Sequence, residues 1–279
     1  MYPFINIFGA SFPTYGLMVL AGVGAAFGLS AILCSKSLVR GQRIDRMDTL
    51  LTCSIIILGA IVGAASLRPL MKLPEVIIRW DYFSQLPIGE VLGYVFGEIV
   101  FYGGLIGGAI ASFIFCRFYK IPIISTLDAI APAAALGHAF GRIGCFMAGC
   151  CYGMEVSSGN PFAVVYPAIS LGAPSGIPLL ALQAIEAGGL IIISAIVVLV
   201  YIKTRPIGLC LTLYLAIYSA FRFTLEYFRG DPARGIYGPF STSQYISIAI
   251  FITSLVLMYI AFSRDAKESE NTDKPDESA

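Results

Sequence analysis

Charge is the property this sequence has least of. Only 13% of its 279 residues are charged, and they nearly cancel to a net +1, whereas a soluble domain carries about 25% charged residues to keep its surface in water. A water-soluble globular domain is therefore excluded, and no nucleic-acid partner is expected. Histidine occurs once, at His138, and reads as a packed or hydrogen-bonded residue rather than a metal ligand. No Lys or Arg precedes Lys36, so the chain lacks the positive n-region of a cleavable signal peptide, and the first helix is expected to be retained. There is no internal repeat to support a transporter.

What the sequence has in abundance is apolar residues, 57% of the total, with a mean hydropathy of +0.82. A helix of about 20 apolar residues crosses the ~30 Å hydrocarbon core with its backbone satisfied internally. Such runs lie at approximately 15–34, 49–66, 99–117, 123–146, 179–202, 208–226 and 243–262. The expected fold is all-α: a polytopic membrane protein of about seven transmembrane helices over residues 1–263. The polar remainder, 264–279, ending ESENTDKPDESA, buries too little apolar surface to order itself and is expected to be a disordered tail.

Basic residues in short loops stay on the cytoplasmic side. Lys36, Arg40, Arg43 and Arg46, then Arg117 and Lys120, then Lys203 and Arg205, then Arg264, Lys267 and Lys274 all fall on one side of a seven-span chain. The opposite side has Arg68, Lys72, Arg79, Arg229 and Arg234. This places the N-terminus outside and the C-terminus in the cytoplasm. Residues 67–98, with Pro74, Trp80, Tyr82, Phe83 and Pro87, read either as a periplasmic interfacial element, where aromatic rings suit the headgroup region, or as an ordinary connecting loop.

An ionised group at the centre of a membrane helix costs about 2.5–3.5 kcal/mol on insertion scales, so it normally has a partner or a function. Tyr218, Arg222, Glu226 and Arg229 recur at intervals of four, four and three in the sixth span, the spacing of one helical face. This stripe is either a functional lining or a ladder in which Glu226 pairs with both arginines. Arg142 follows His138 by four residues in the glycine-rich fourth span; its planar fork of donors suits phosphate, though a snorkelling arginine is the alternative. Gln183 and Glu186 share a face of the fifth span, and their expected partners are the arginines. The glycines of FYGGLIGG, residues 101–108, invite tight helix packing or a headgroup resting on the backbone. Cys145, Cys150 and Cys151 cluster after Arg142. They are expected to be structural; packing, a Cys145–Cys150 disulfide, and zinc with His138 as fourth ligand are the three readings of them.

With these motifs in hand, the chain resembles the prolipoprotein diacylglyceryl transferases, bacterial inner-membrane enzymes of lipoprotein biogenesis. The resemblance rests on Tyr15-Gly16-Leu17, Tyr102-Gly103-Gly104-Leu105-Ile106-Gly107, Gly141-Arg142-Ile143-Gly144 with Phe146, Gly149 and Gly153, the Gln183 and Glu186 pair, and Tyr218 with Arg222-Phe223, Glu226-Tyr227-Phe228-Arg229 and Asp231. It implies transfer of diacylglyceryl from phosphatidylglycerol to a lipobox cysteine in a prolipoprotein signal peptide, with no cofactor or metal. It further implies catalytic roles for Arg142, Arg222, Glu186, Tyr102, Tyr218 and Glu226, and substrate binding by Arg142, Tyr15, Gly103, Gly104 and Arg229. Two departures mark a cysteine-bearing branch. Tyr102 stands where many members have histidine, leaving the general base unassigned, and Cys145, Ala148 and Cys150 replace asparagines and an acidic residue. The alternative function is a non-enzymatic lipid-binding or thiol-exchange protein on the same fold.

Overall fold

The computed structural model describes residues 3–7, 9–35, 44–97, 100–203, 206–231 and 235–272. In chain order the elements are β1 (Phe4–Ile7), β2 (Ala10–Pro13), α1 (Thr14–Ser35), α2 (Arg46–Ile78), α3 (Trp80–Phe83), α4 (Ile88–Phe96), α5 (Phe101–Phe118) and α6 (Ile123–Ala148). They continue with β3 (Ala163–Val165), β4 (Pro178–Leu180), α7 (Leu182–Lys203), α8 (Leu209–Leu225), β5 (Ile236–Tyr237), β6 (Phe240–Ser241) and α9 (Thr242–Thr272). The strands form three small antiparallel hairpins, β1 with β2, β3 with β4, and β5 with β6.

Among the described residues, α1, α2, α6, α7, α8 with its following turn, and α9 are six helices long and apolar enough to cross a membrane. The seventh expected span is α5, an 18-residue helix, about 27 Å long at ~1.5 Å per residue. Of the basic residues used to orient the chain, Lys36, Arg40, Arg43, Arg205, Arg234 and Lys274 lie outside the described residues.

Two boundaries differ from the sequence expectation. The second span, read as 49–66, runs from Arg46 to Ile78 over 33 residues, about 50 Å at ~1.5 Å per residue, and contains Pro69 and Pro74. The first part of the supposed interfacial segment is therefore continuous helix. It is stabilised from outside itself: Val76 buries against Phe83 of α3 and Val95 of α4, while the Tyr94 hydroxyl donates to Glu75 Oε2 at 2.6 Å and Lys72 Nζ donates to the Tyr94 oxygen at 2.8 Å. At the other end of the chain, α9 continues as helix past Arg264 to Thr272, and residues 273–279 lie outside the described set.

The chain divides into two units, Met1–Arg43 with Leu127–Ala279, and Ile44–Thr126. In the second unit, α2 and α5 cross on glycine. A Cβ at Gly63 would overlap the Gly103 carbonyl oxygen, and one at Gly107 would overlap the Gly59 carbonyl oxygen, so the helices approach at a distance only glycine permits. Beside this crossing runs an apolar groove of about 570 Å³ that includes Leu58, Val62, Ile106 and Ile110.

In the first unit, α1 meets α6 at Gly22, where a Cβ would stand 2.8 Å from Phe140 Cβ and 2.9 Å from the Gly137 carbonyl oxygen. The α7–α8 contact places Phe221 against the bare face of Gly189. Asp128, 1% exposed, accepts the backbone N–H groups of Gly208 at 2.7 Å and Leu211 at 2.9 Å. A carboxylate from α6 thus supplies the acceptors that a helix N-terminus lacks, at the start of α8. Pro132 inside α6 has its carbonyl bonded by the Ser194 hydroxyl of α7 at 2.8 Å. These contacts fix α6, α7 and α8 against one another, and Arg142, Glu186, Tyr218 and Arg222 sit on those three helices.

Candidate functional site

The C-terminal turns of α6, the first turns of α7 and the C-terminal turns of α8 bring their ionisable residues to one end of the first unit. Arg142 of α6 meets Glu186 of α7, Nε to Oε1, at 3.2 Å. The same carboxylate oxygen accepts the Tyr218 hydroxyl of α8 at 3.0 Å. Glu186 is 2% exposed, so this carboxylate is withdrawn from water and held by a cation and a hydroxyl from two different helices. Removing one partner of such a buried pair costs about 3–5 kcal/mol, because the remaining charge stays buried without compensation.

One turn further along α8, Arg222 Nη2 donates to Glu226 Oε2 at 2.7 Å, and Arg229 Nη1 approaches the same oxygen at 3.7 Å. The pairing of the ladder reading, with Glu226 between two arginines, is therefore present. Its last rung is off the helix: α8 ends at Leu225, one turn of 3₁₀ helix covers Glu226–Phe228, and Arg229 is extended. Released from the helix, Arg229 also makes a fork to Asp231, Nε to Oδ1 at 2.5 Å and Nη2 to Oδ2 at 2.9 Å.

The stripe extends in the other direction to Tyr214, which sequence reasoning missed although it continues the spacing of four from Tyr218. Tyr214 stacks on Tyr218 with ring centroids 6.1 Å apart, and its hydroxyl lies 3.5 Å from His138 Nδ1. The His138 ring meets Tyr218 edge-on at 4.9 Å. Arg142 reaches Tyr218 through the Glu186 carboxylate that both contact, and Arg222 stands one helical turn beyond Tyr218 on α8.

Gln183 behaves differently from the expectation that it would join the arginines. Its Nε2 donates to the Cys150 carbonyl oxygen at 2.6 Å and its Oε1 accepts the Tyr166 hydroxyl at 3.2 Å. A neutral amide satisfies a carbonyl and a hydroxyl together because it carries donor and acceptor. Burial pushes the Tyr166 hydroxyl up to about 12, which keeps it a donor. Nothing in the sequence pointed to Tyr166, which lies in the long connection between α6 and α7.

Tyr15 opens α1 and packs on Gly144, where a Cβ would stand 3.1 Å from the Tyr15 ring, and it lies within electrostatic reach of Arg142. Tyr102, Gly103 and Gly104 belong to the second unit. There a Cβ at Gly103 would overlap the Gly63 carbonyl oxygen, and one at Gly104 would stand 3.2 Å from the Ala60 carbonyl oxygen. Of the two readings of this glycine run, the contacts realise helix packing. Cys145, Cys150 and Cys151 carry free thiols, all within 4.8 Å of one another and without His138 in the group. The zinc reading with a histidine fourth ligand is thereby corrected: the described His138 Nδ1 faces Tyr214.

The fold and this site define a polytopic membrane protein that holds arginines, each braced by a buried glutamate, at one end of its helices. A family model described as prolipoprotein diacylglyceryl transferase matches residues 3–260. The chain belongs to that family. It is 33% identical over 267 residues to phosphatidylglycerol–prolipoprotein diacylglyceryl transferase 2 of Clostridium perfringens, covering 95% of this chain and 96% of the relative. It is 32% identical to the phosphatidylglycerol–prolipoprotein diacylglyceryl transferase of Clostridium tetani (91% and 95% covered) and 32% identical to that of Dehalococcoides mccartyi strain 195 (92% and 91% covered).

Proposed function

We infer that this chain transfers the diacylglyceryl group of phosphatidylglycerol to the cysteine thiol of prolipoproteins. The observation that carries the reading is the Arg142–Glu186–Tyr218 cluster beside the Arg222–Glu226 pair, in a chain whose family and relatives bear the name of this reaction. The acceptor sulfur, as thiolate, attacks the glyceryl carbon attached to phosphate oxygen. The carbon–oxygen bond breaks, its electron pair leaves on glycerol phosphate, and a thioether remains. Charge grows on the leaving phosphate, and preorganised cationic donors aimed at that charge are the largest stabilising contribution in such a step.

Arg142 suits the task by geometry. Its Nε is engaged by Glu186, which leaves the terminal amino groups of the fork for a phosphate. Arg222 supplies the second cation, and Glu186 and Glu226 orient the two from behind. Tyr218 holds Glu186 in place, while Arg229 and Tyr15 border the same region. The acceptor is the lipobox cysteine of a precursor signal peptide, presented from the outer leaflet of the cytoplasmic membrane. In this reading the N-terminus faces outward and the C-terminus the cytoplasm, as the basic loops favour. Family membership among transferases weighs against a purely lipid-binding or thiol-exchange role.

The test is complementation of a bacterial strain depleted of its own transferase. Expression of the full chain is expected to convert an accumulated precursor to its lipid-modified, faster-migrating form, with radiolabel from the phosphatidylglycerol glyceryl moiety appearing in the product. A chain that inserts in the membrane at normal level and yields no labelled lipoprotein overturns the reading.

A further inference from the structure

The three cysteines after Arg142 are not used by the transfer step, and their geometry is unusual. Cys145 lies in the last turn of α6, and Cys150 and Cys151 are adjacent in the turn beyond it. Neighbouring residues in an extended strand point to opposite sides, yet here all three sulfurs lie within 4.8 Å of one another. The backbone makes this arrangement. Gly149 has φ +77° and Cys151 has φ +58°, and a left-handed conformation is uncommon for a residue other than glycine.

This turn is held from several sides. The N–H groups of Gly149 and Cys150 both donate to the Cys145 carbonyl oxygen, at 2.9 and 3.2 Å. The Gly149 carbonyl oxygen accepts from Ala173 N at 3.0 Å, the Tyr152 carbonyl oxygen accepts from Gly230 N at 3.1 Å, and Gly153 N donates to Leu180 at 3.0 Å. Gln183, anchored by Tyr166, grips the Cys150 carbonyl oxygen. The surrounding loop thus brings the sulfurs together, and the Cys150 thiol adds a contact inside the turn, donating to the Cys145 carbonyl oxygen at 3.8 Å. They are also partly exposed, while Cys34, Cys53, Cys116 and Cys210 are buried.

We propose that Cys145, Cys150 and Cys151 form a three-thiolate binding site for a soft, closed-shell cation of the zinc class, with its fourth position open. Two sulfurs at about 2.3 Å from one tetrahedral ion stand about 3.8 Å apart, so sulfurs already within 4.8 Å close on an ion by side-chain rotation of about 1 Å. A disulfide requires one pair at about 2.05 Å and leaves the third sulfur of a converged set without a role. Binding releases the three thiol protons to solvent and gives a centre of net charge −1. Arg142, three residues before Cys145 on α6, and Arg229, whose backbone pairs with Gly153 two residues after Cys151, supply positive charge beside that centre. Among the described residues no fourth His, Cys, Asp or Glu joins the group, and three protein ligands with one open position is the arrangement of a zinc site that takes an exogenous ligand.

The readout is metal binding and does not depend on lipid transfer. The full chain, purified in detergent under a phosphine reductant, is titrated with Cd²⁺ and, in competition with a chromogenic chelator, with Zn²⁺. One equivalent of Cd²⁺ is expected to bind with a sulfur-to-metal charge-transfer band, and X-ray absorption should give three sulfur neighbours. Cys151→Ser is expected to weaken Zn²⁺ by more than the about 100-fold that loss of an outer-shell partner typically brings. The variant with Cys34, Cys53, Cys116 and Cys210 all changed to Ser is expected to bind as the parent does. A thermal melt verifies that each variant is folded. A stoichiometric band that survives Cys145→Ser/Cys150→Ser/Cys151→Ser overturns the proposal. So does a parent protein that binds no Cd²⁺ while its three thiols titrate as free, or one isolated without reductant that holds two of the three as a disulfide.

Discussion

Arg142→Lys tests the arginine site most directly, because it keeps the charge and changes only the arrangement of donors. The wild-type guanidinium uses Nε for Glu186 at 3.2 Å, and in the proposed reading its terminal amino groups serve a second acceptor, the phosphate. Lysine has one nitrogen, which serves either the buried carboxylate or a phosphate. If it stays with Glu186, the leaving group loses a donor; if it reaches outward, Glu186, 2% exposed, keeps, among the described residues, only the Tyr218 hydroxyl at 3.0 Å. Loss of one donor to developing charge lowers turnover by about 10²–10³, or about 2.7–4 kcal/mol. Loss of an exposed ion pair is worth only ~0–1 kcal/mol, so the size of the effect separates the two roles. Arg142→Ala is the poorer test, since stranding a buried carboxylate costs about 3–5 kcal/mol of stability and confounds folding with catalysis. The assay is the initial rate of precursor conversion at saturating phosphatidylglycerol, with a thermal melt of each protein. The expected result is a rate lower by about two to three orders of magnitude at a melting temperature close to wild type. Near-normal transfer by both Arg142→Lys and Arg222→Lys refutes the reasoning.

Asp128→Ala strands the Gly208 and Leu211 N–H groups that the carboxylate now accepts at 2.7 and 2.9 Å. Each buried orphan costs about 1–3 kcal/mol, so a clear fall in thermal stability is expected, smaller in Asp128→Asn; an unchanged melt refutes the capping role. Gly63→Leu inserts a side chain where even a Cβ overlaps the Gly103 carbonyl oxygen. It is expected to destabilise by at least the about 1–3 kcal/mol typical of overpacking, and wild-type stability in that variant refutes the tight crossing. A reporter fused after Ala279 is expected to be active only when it requires the cytoplasm; activity of a periplasm-only reporter there reverses the proposed topology.

The membrane helices were legible because a single physical quantity, apolar length against bilayer thickness, determines them. The places where that reading stopped short are those where helix continues past the hydrocarbon. Nothing in bilayer thickness extends the second span beyond residue 66. What extends it is the packing of Val76 against Phe83, 7 residues on, and Val95, 19 residues on, together with the Lys72–Glu75–Tyr94 cluster, whose partners lie 19 and 22 residues apart. Helix α9 likewise proceeds through polar sequence to Thr272, where composition alone indicated disorder.

The site was legible to the extent that its partners lie on one helix. Arg222 and Glu226 are four apart and pair as that spacing predicts. Tyr214 stands at the same interval before Tyr218, and one more step of the same reasoning reaches it. Pairing between helices is another matter. Glu186 and Gln183 share a helix face, are similar in size, and are both almost fully buried, yet only the carboxylate meets an arginine. The difference follows from what each can satisfy: a buried guanidinium requires negative charge nearby, whereas an amide joins a carbonyl to a hydroxyl and gains little beside a cation. Chemistry therefore assigns Glu186 to the arginine and Gln183 to a neutral pair of groups, but the neutral pair can be identified only when the fold supplies Cys150 and Tyr166. In this way the residue that the sequence grouped with the charges came to hold the cysteine turn, and the same end of α7 braces Arg142 through the Glu186 side chain and the Cys150 backbone through Gln183.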